Sequence, residues 1–239
     1  MRYAFYISPD RDAPLTVAAE RWLGANPFTG ETHALEPKGD FSAAELTALT
    51  ADPRRYGFHG TLKAPFELAP GISEPELLDA FEAFAETCVP FRIPEMVLGQ
   101  LGPFFALVPA THCPDLQEFA DATVRQFSRF RAPLSDADIV RRRPETLSTQ
   151  MRSNLFDWGY PYVFESFRFH MTLTGQVPAE RQSAMQALLM QEFAPFIGQP
   201  MEVTSLALFV EPTRGAPFTI HSLLPLGSTS KRKMARHDR

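Results

Sequence analysis

The spacing of apolar positions changes several times along the chain, and each change marks an element. Residues 3–7 (Tyr3-Ala4-Phe5-Tyr6-Ile7) form a short apolar run closed by Ser8-Pro9-Asp10, which reads as an opening strand. Residues 14–24 read as a helix with Trp22 and Leu23 on its inner face. Ser42-Ala43-Ala44-Glu45 is a capping box that opens a short helix through Leu49, because the serine hydroxyl and the glutamate three residues on can each satisfy one unpaired N–H. A strand is expected around residues 57–63 and, after a proline-containing loop, a helix over 74–87. In that helix Leu77, Leu78, Phe81 and Phe84 recur at helical spacing and belong to the core. Residues 95–109 read as a hairpin turned at Gly102-Pro103.

The second half repeats this order. A helix near 114–131 precedes a strand at 167–174 and a helix at 179–194, and a hairpin of strands near 202–211 and 217–224 turns at 213–217. The repetition reads as an internal duplication, each half forming a lobe in which a small sheet is backed by helices. Between the halves, residues 133–160 carry Arg141-Arg142-Arg143 and a helix ending near Trp158-Gly159; a charge run of this kind reads as a solvated face, with a phosphate contact as the alternative. The stretch 228–239 is basic, lacks apolar periodicity and reads as a disordered tail. The expected organisation is one bilobal domain over 1–227 followed by that tail.

Composition narrows the class. Hydrophobic residues at 44% and charged residues at 21% are ordinary for a globular protein. A net charge of −5 argues against a general nucleic-acid binder, while leaving room for a small basic pocket. Cys88 and Cys113 have no metal-ligand spacing and read as free thiols in a reducing cytoplasm. The start of the chain lacks the pattern of a signal peptide, and no apolar run approaches the length of a membrane span, so a soluble cytoplasmic protein is expected.

Two segments carry chemistry. On a strand, side chains at i and i+2 share a face. In Phe58-His59-Gly60-Thr61-Leu62-Lys63 this sets His59 and Thr61 on one side and Phe58, Gly60 and Leu62 on the other. In the strand read over 167–174, Arg168, His170, Thr172 and Thr174 share one face, and Phe167, Phe169, Met171 and Leu173 form its apolar reverse. An imidazole, a hydroxyl and a cation then stand in a row over a buried sheet. Phosphodiester hydrolysis needs a base for the attacking water and an acid for the leaving oxygen, and histidine serves as either near neutral pH. The threonine hydroxyls can donate to non-bridging oxygens, and Arg168 or Lys63 can offset the developing charge. Tyr6, in the opening strand, either belongs to the core or lines the pocket; Lys63 either binds phosphate or stands at the strand end.

A single His-x-Thr arises readily by chance and is more often structural, but two copies, each followed by leucine and by the same order of elements, are not explained that way. A zinc site would need a third ligand, and His33, His112, His221 and His237 offer no ligand spacing, so no metal is expected.

The pair His59-Gly60-Thr61-Leu62 and His170-Met171-Thr172-Leu173 resembles the signature of the two-histidine phosphoesterase superfamily. Two wider segments, residues 56–66 and 158–175, resemble a bacterial branch of that superfamily often encoded among phosphonate-breakdown genes. The resemblance implies an α+β bilobal fold with two pseudo-symmetric antiparallel sheets backed by helices around a central cleft. It implies cofactor-free 2′,3′-cyclic phosphodiesterase, RNA-ligase-like or related cyclic-phosphate chemistry at the two motifs; the reading of the residues themselves adds His59 and His170 as acid and base, Thr61 and Thr172 beside them, and Arg168, Lys63 and Tyr6 as candidates for the phosphate side of the pocket. Two readings stand at this point: a hydrolase acting on a small cyclic phosphate or nucleotide-like ester, set within phosphonate utilisation, and a non-catalytic module that holds a phosphorylated ligand. RNA 2′-5′ ligation or RNA-end processing is a third, for which the basic tail is the one compositional support. The partner expected is a small phosphorylated substrate rather than a membrane or a long RNA, and no pattern specifies an oligomeric state.

Overall fold

Strand β1 (Arg2–Ile7) is buried along its whole length, and that burial divides the interior. Tyr3, Phe5 and Ile7 enter the main core, whereas Ala4 and Tyr6 join Ala207, Phe209 and Phe218 in a second apolar cluster on the opposite face. The computed structural model describes residues 1–227; the 228–239 stretch, read as a disordered tail, lies outside the described residues. After β1 the first half runs α1 (Pro14–Leu23), α2 (Ala43–Leu49), α3 (Ala51–Tyr56), β2 (Gly60–Phe66), α4 (Glu74–Thr87), β3 (Phe91–Leu101) and β4 (Phe104–Pro109). The second runs α5 (Pro114–Phe127), α6 (Asp136–Arg142), α7 (Thr149–Trp158), β5 (Met171–Thr172), α8 (Gln182–Glu192), β6 (Gln199–Val203), β7 (Ser205–Glu211) and β8 (Thr219–Pro225). Helix α2 starts as its capping box requires: the Ser42 hydroxyl accepts from Glu45 N at 3.2 Å, and the Glu45 carboxylate accepts from Ser42 N at 2.9 Å.

All eight described strands join one antiparallel sheet in the order β6-β3-β4-β5-β2-β1-β7-β8. It consists of two four-stranded halves, each with a histidine-motif strand at its inner edge. They meet at a single residue pair, Gly60 opposite Met171. The chain halves do not each close their own lobe, as the repeat implied. The hairpin that follows the first motif, β3–β4, pairs with the second motif strand, and β7, which follows the second motif, pairs with β1 beside the first. Each edge of a buried strand needs a hydrogen-bonding partner, and here the partners are drawn from both halves of the chain.

The second motif strand is shorter than the alternation predicted. Only Met171 and Thr172 form ladder pairs; beyond them Leu173 N and Thr174 N both donate to Phe105 O, and the Thr174 hydroxyl accepts from Phe105 N. Thr174 is therefore fully buried in a backbone-satisfying role and not in line with His170 and Thr172. Among the described residues no helix is long and apolar enough to cross a membrane.

The junction is tight. A Cβ on Gly60 would lie 2.2 Å from the Phe169 ring, closer than any two carbons pack, so glycine is required for the strands to meet over that phenylalanine. Gly60→Ala is expected to cost about 1–3 kcal/mol, as overpacking of a dense core does. Adding Phe169→Leu should recover part of that loss, a coupling that urea denaturation of the two single variants and the double variant measures.

Candidate active site

Antiparallel pairing of Gly60 with Met171 sets the register across the junction: His59 falls opposite Thr172, and Thr61 opposite His170. Gly60 and Met171 turn into the core, so these four side chains share the other face, the one lined by Tyr6. The histidines occupy diagonal positions on neighbouring strands, a spacing of about 7–8 Å between side-chain origins that lets both rings reach one bound group.

Each ring is oriented by the same device. His59 Nδ1 lies 2.8 Å from the Gly57 carbonyl, and His170 Nδ1 lies 2.8 Å from the Arg168 carbonyl. A carbonyl only accepts, so both Nδ1 atoms carry the hydrogen, and in each neutral ring the lone pair is on Nε2. The Thr61 hydroxyl stands 3.2 Å from His59 Nε2. His59 lies flat on Tyr6, ring centroids 3.9 Å apart, with Tyr56 and Phe209 around it. His170 has Phe104 at 5.8 Å.

Burial dominates the electrostatics. It lowers His59 to about 4, against a smaller opposing effect of the Gly57 carbonyl and with a further lowering from His170. His59 is therefore neutral at physiological pH. Burial also pushes the Tyr6 phenol well above its usual range, reinforced by Tyr56 and Tyr160.

Two expected phosphate ligands sit elsewhere. Strand β2 carries register shifts on either side of Lys63, so Lys63 pairs with the core-facing Phe5 while Thr61 pairs with Tyr6. The amine is buried behind the sheet, donates to Ser128 Oγ at 3.1 Å and lies 5.4 Å from the Phe66 ring. Arg168 touches His170 through its backbone carbonyl. Its guanidinium folds back onto the carbonyls of Glu165 and Phe167 and lines a cavity of about 770 Å³ beside β4 and α5. His221 is on β8, near Ser222 and Glu74 and outside this cluster. Among the described residues no group of three or more His, Cys, Asp or Glu side chains could hold a metal ion, and both cysteines are free.

The residues that motif reasoning passed over are aromatic. Tyr56 stacks on Phe218 at 5.0 Å and forms one wall beside His59. Tyr160, from the segment after α7, lies near enough to Tyr6 to raise its phenol and is itself raised by burial and by the neighbouring Tyr56, and Arg142 lies over its ring at 4.7 Å. Both tyrosines belong to the segments 56–66 and 158–175, which were singled out for resemblance rather than for chemistry. Their convergence is a tertiary fact.

A family model described as a protein of unknown function, DUF1045, matches residues 61–219. Ribose 1,5-bisphosphate phosphokinase PhnN of Janthinobacterium sp. (strain Marseille) is 33% identical over 99% of this chain, which covers 53% of that protein. The chain spans about half the length of the curated relatives it matches. TT0787 of Thermus thermophilus aligns over 95% of this chain and 98% of its own at 15% identity and a TM-score of 0.46. E. coli LigT complexed with 3′-AMP aligns over the same shares at 14% identity and a TM-score of 0.44.

Lys63 generates a prediction about pH. Burial first, and then Arg131, lower its amine from 10.5 to about 7. The folded state then binds fewer protons than the unfolded state between about pH 7 and 10.5, so stability rises with pH across that window. Lys63→Met should flatten the rise and exceed the parent in stability below pH 7, as denaturant melts of both proteins on either side of the window would record.

Proposed function

The chain belongs to the DUF1045 family, and we propose that it is a metal-independent phosphoesterase that opens a small cyclic phosphodiester by acid–base catalysis between His59 and His170. One observation carries this reading: both rings are anchored through Nδ1 to a carbonyl two residues back, which turns both Nε2 atoms, that of His59 beside the Thr61 hydroxyl, to one face of adjoining strands. A binding module needs anion donors but has no use for two matched, titratable nitrogens. His59, held neutral, is the base that takes a proton from the attacking water. His170, farther from the aromatic cluster, protonates the leaving sugar oxygen. Thr61 and Thr172 donate to the non-bridging oxygens. The P–O bond to water forms as the P–O bond to the leaving alkoxide breaks, and the product is a phosphomonoester with a free hydroxyl.

The curated relative's name describes a phosphokinase of ribose 1,5-bisphosphate, in a protein about twice as long. The present sequence has no Gly-x₄-Gly-Lys-Ser/Thr loop, the phosphate cradle of P-loop kinases. We therefore assign phosphokinase chemistry to the part of the relative that this chain does not span. What the name lends to this half is a context of small sugar phosphates in phosphonate utilisation, which favours a sugar or nucleoside cyclic phosphate over RNA.

Hydrolysis of 2′,3′-cyclic mononucleotides and ribosyl cyclic phosphates in EDTA tests the proposal. His59→Ala and His170→Ala should each lower kcat by roughly 10²–10⁴-fold with the fold retained. Wild-type turnover in either variant would remove that histidine from the mechanism, and activity restored only by added zinc or manganese would remove the metal-free chemistry.

The pH profile is a separate check. The base must be neutral to act, so kcat/KM should fall on the acid side near pH 4, where free His59 gains its proton, and not near 6.5.

A further inference from the structure

The carbonyls that orient the two histidines are secured by different parts of the fold. For His59 the carbonyl belongs to Gly57, which caps α3 and donates its own N–H to Arg54 O at 3.3 Å. For His170 it belongs to Arg168, which lies ahead of β5 and outside the sheet ladder. The position of the Arg168 carbonyl therefore depends on the loop that leads from α7 to β5, and that loop contains a strained residue. Phe164 has a φ of +53°, one of two positive values among the described non-glycine residues. A bulky side chain in the left-handed region crowds its own backbone, and such a conformation persists only where its surroundings hold it.

The holding groups can be named. The buried Phe164 ring meets Trp158 edge-on at 4.9 Å and lies under the Arg125 guanidinium at 4.5 Å. Asn154, buried on α7, donates from Nδ2 to the carbonyls of Pro161 and Val163 at 3.4 and 3.3 Å, while its Oδ1 accepts from Gln150 Nε2 at 3.1 Å. Gln117, on α5, donates from Nε2 to Phe164 O at 3.0 Å and to Asp121 Oδ1 at 2.8 Å. Two acceptors on one nitrogen settle which way that amide faces. Phe164 O also accepts from Phe167 N at 2.9 Å, which closes a single 3-10 turn over Phe164–Ser166. The Arg168 guanidinium then donates back to the carbonyls of Glu165 and Phe167, and the Arg168 carbonyl meets His170 Nδ1. The Phe164 carbonyl is thus the point where α5 grips the turn that delivers the anchor of His170.

We propose that Gln117 is a positioning residue for His170, acting through the strained turn at Phe164, and that it keeps the Arg168 carbonyl on Nδ1. Were the turn to relax, φ at Phe164 would pass to the negative region and the peptide planes after it would rotate. Freed from its acceptor, the neutral His170 ring can carry its hydrogen on either nitrogen. Only the Nδ1–H form leaves Nε2 to take up and hand over the proton that the leaving oxygen receives. The consequence for turnover rests on the phosphoesterase reading; the consequence for the tautomer does not.

Long-range ¹H–¹⁵N correlation spectra at about pH 8, where an ordinary imidazole is neutral, report the tautomer of each ring, with signals assigned through His59→Ala and His170→Ala. Both histidines should be Nδ1–H in the unaltered protein. Gln117→Met keeps the length of the side chain and removes the donor. It should turn His170 into a mixture of tautomers and leave His59 as it was, so that His59 serves as the control for an intact fold. Its kcat should fall by on the order of 10–100-fold with KM within about 2-fold, as displacement of a reacting group does. Phe164→Gly and Phe164→Ala form a second pair. Both lack the ring, but glycine takes a positive φ freely, so it should keep more of the Nδ1–H form than alanine. A His170 signal that stays Nδ1–H in both Gln117→Met and Phe164→Ala overturns the proposal, as does one that changes in Gln117→Met together with that of His59. A tautomer change confined to His170 in Gln117→Met, in a protein that turns over none of the cyclic esters, defeats the phosphoesterase reading and leaves the positioning role standing.

Discussion

The contact between Gly60 and Met171 is the constraint on which the site depends. Two four-stranded half-sheets, each with its own helices, touch through one residue pair. Because side chains alternate along a strand, that pair fixes the face for its neighbours: with Gly60 and Met171 turned into the core, His59, Thr61, His170 and Thr172 must all point the other way. A slip of one residue on either strand would bury one histidine and replace it with an apolar group. The closeness of Phe169 to Gly60 works against such a slip, since any other residue brought to that position would carry a side chain into the ring.

The junction also explains why the two histidines differ although their anchoring is the same. Strand β2 adjoins β1, whose cleft-facing residues are large and aromatic, so His59 is roofed by Tyr6 and flanked by Tyr56 and Phe209. Strand β5 adjoins β4, where the residue opposite Thr172 is Ala106 and the nearest ring to His170 is Phe104 at 5.8 Å. A ring stripped of water gives up its proton more readily, and burial lowers His59 accordingly. One backbone device is thus repeated in two different settings, an aromatic enclosure around His59 and a more open surrounding at His170.

Much of this was legible in the sequence where local rules decide. The capping box at Ser42, the helix over 74–87, the hairpin turned at Gly102 and the i, i+2 placement of His59 with Thr61 all depend on neighbours within a few residues, and all are present as read. The failures share a cause. Lys63 was carried to the histidine face by strict alternation, and register shifts in β2 reversed it; nothing local marks a bulge whose origin is the pairing with β1. Arg168 and Thr174 were aligned with His170 by extending a strand whose ladder has only two residues, because Phe105 takes up the backbone groups that would have prolonged it. The interleaving of the two chain halves was hidden for the same reason. A repeat in the order of elements states which strands exist, not which of them become neighbours.

The kind of positive charge present bears on what the cleft can hold. Within residues 1–227 lysine stands only at 38 and 63; the first is paired with Glu192, and the second is buried behind the sheet. The donors that the histidine face can offer an anion are therefore those of arginine, histidine and threonine. An ammonium on a long flexible stem holds a phosphate loosely as a point charge, whereas a guanidinium held by a carboxylate or a carbonyl presents its donors at fixed angles. Here the forks are held by groups far apart in sequence: Arg2 and Arg55 by Glu211, Arg214 by Asp138, Arg131 by Asp157 and by the close passage of Gly159. Among the described residues the fixed forks set donor directions one by one and do not form the extended, interchangeable run of lysines on which tracking of a polynucleotide backbone relies.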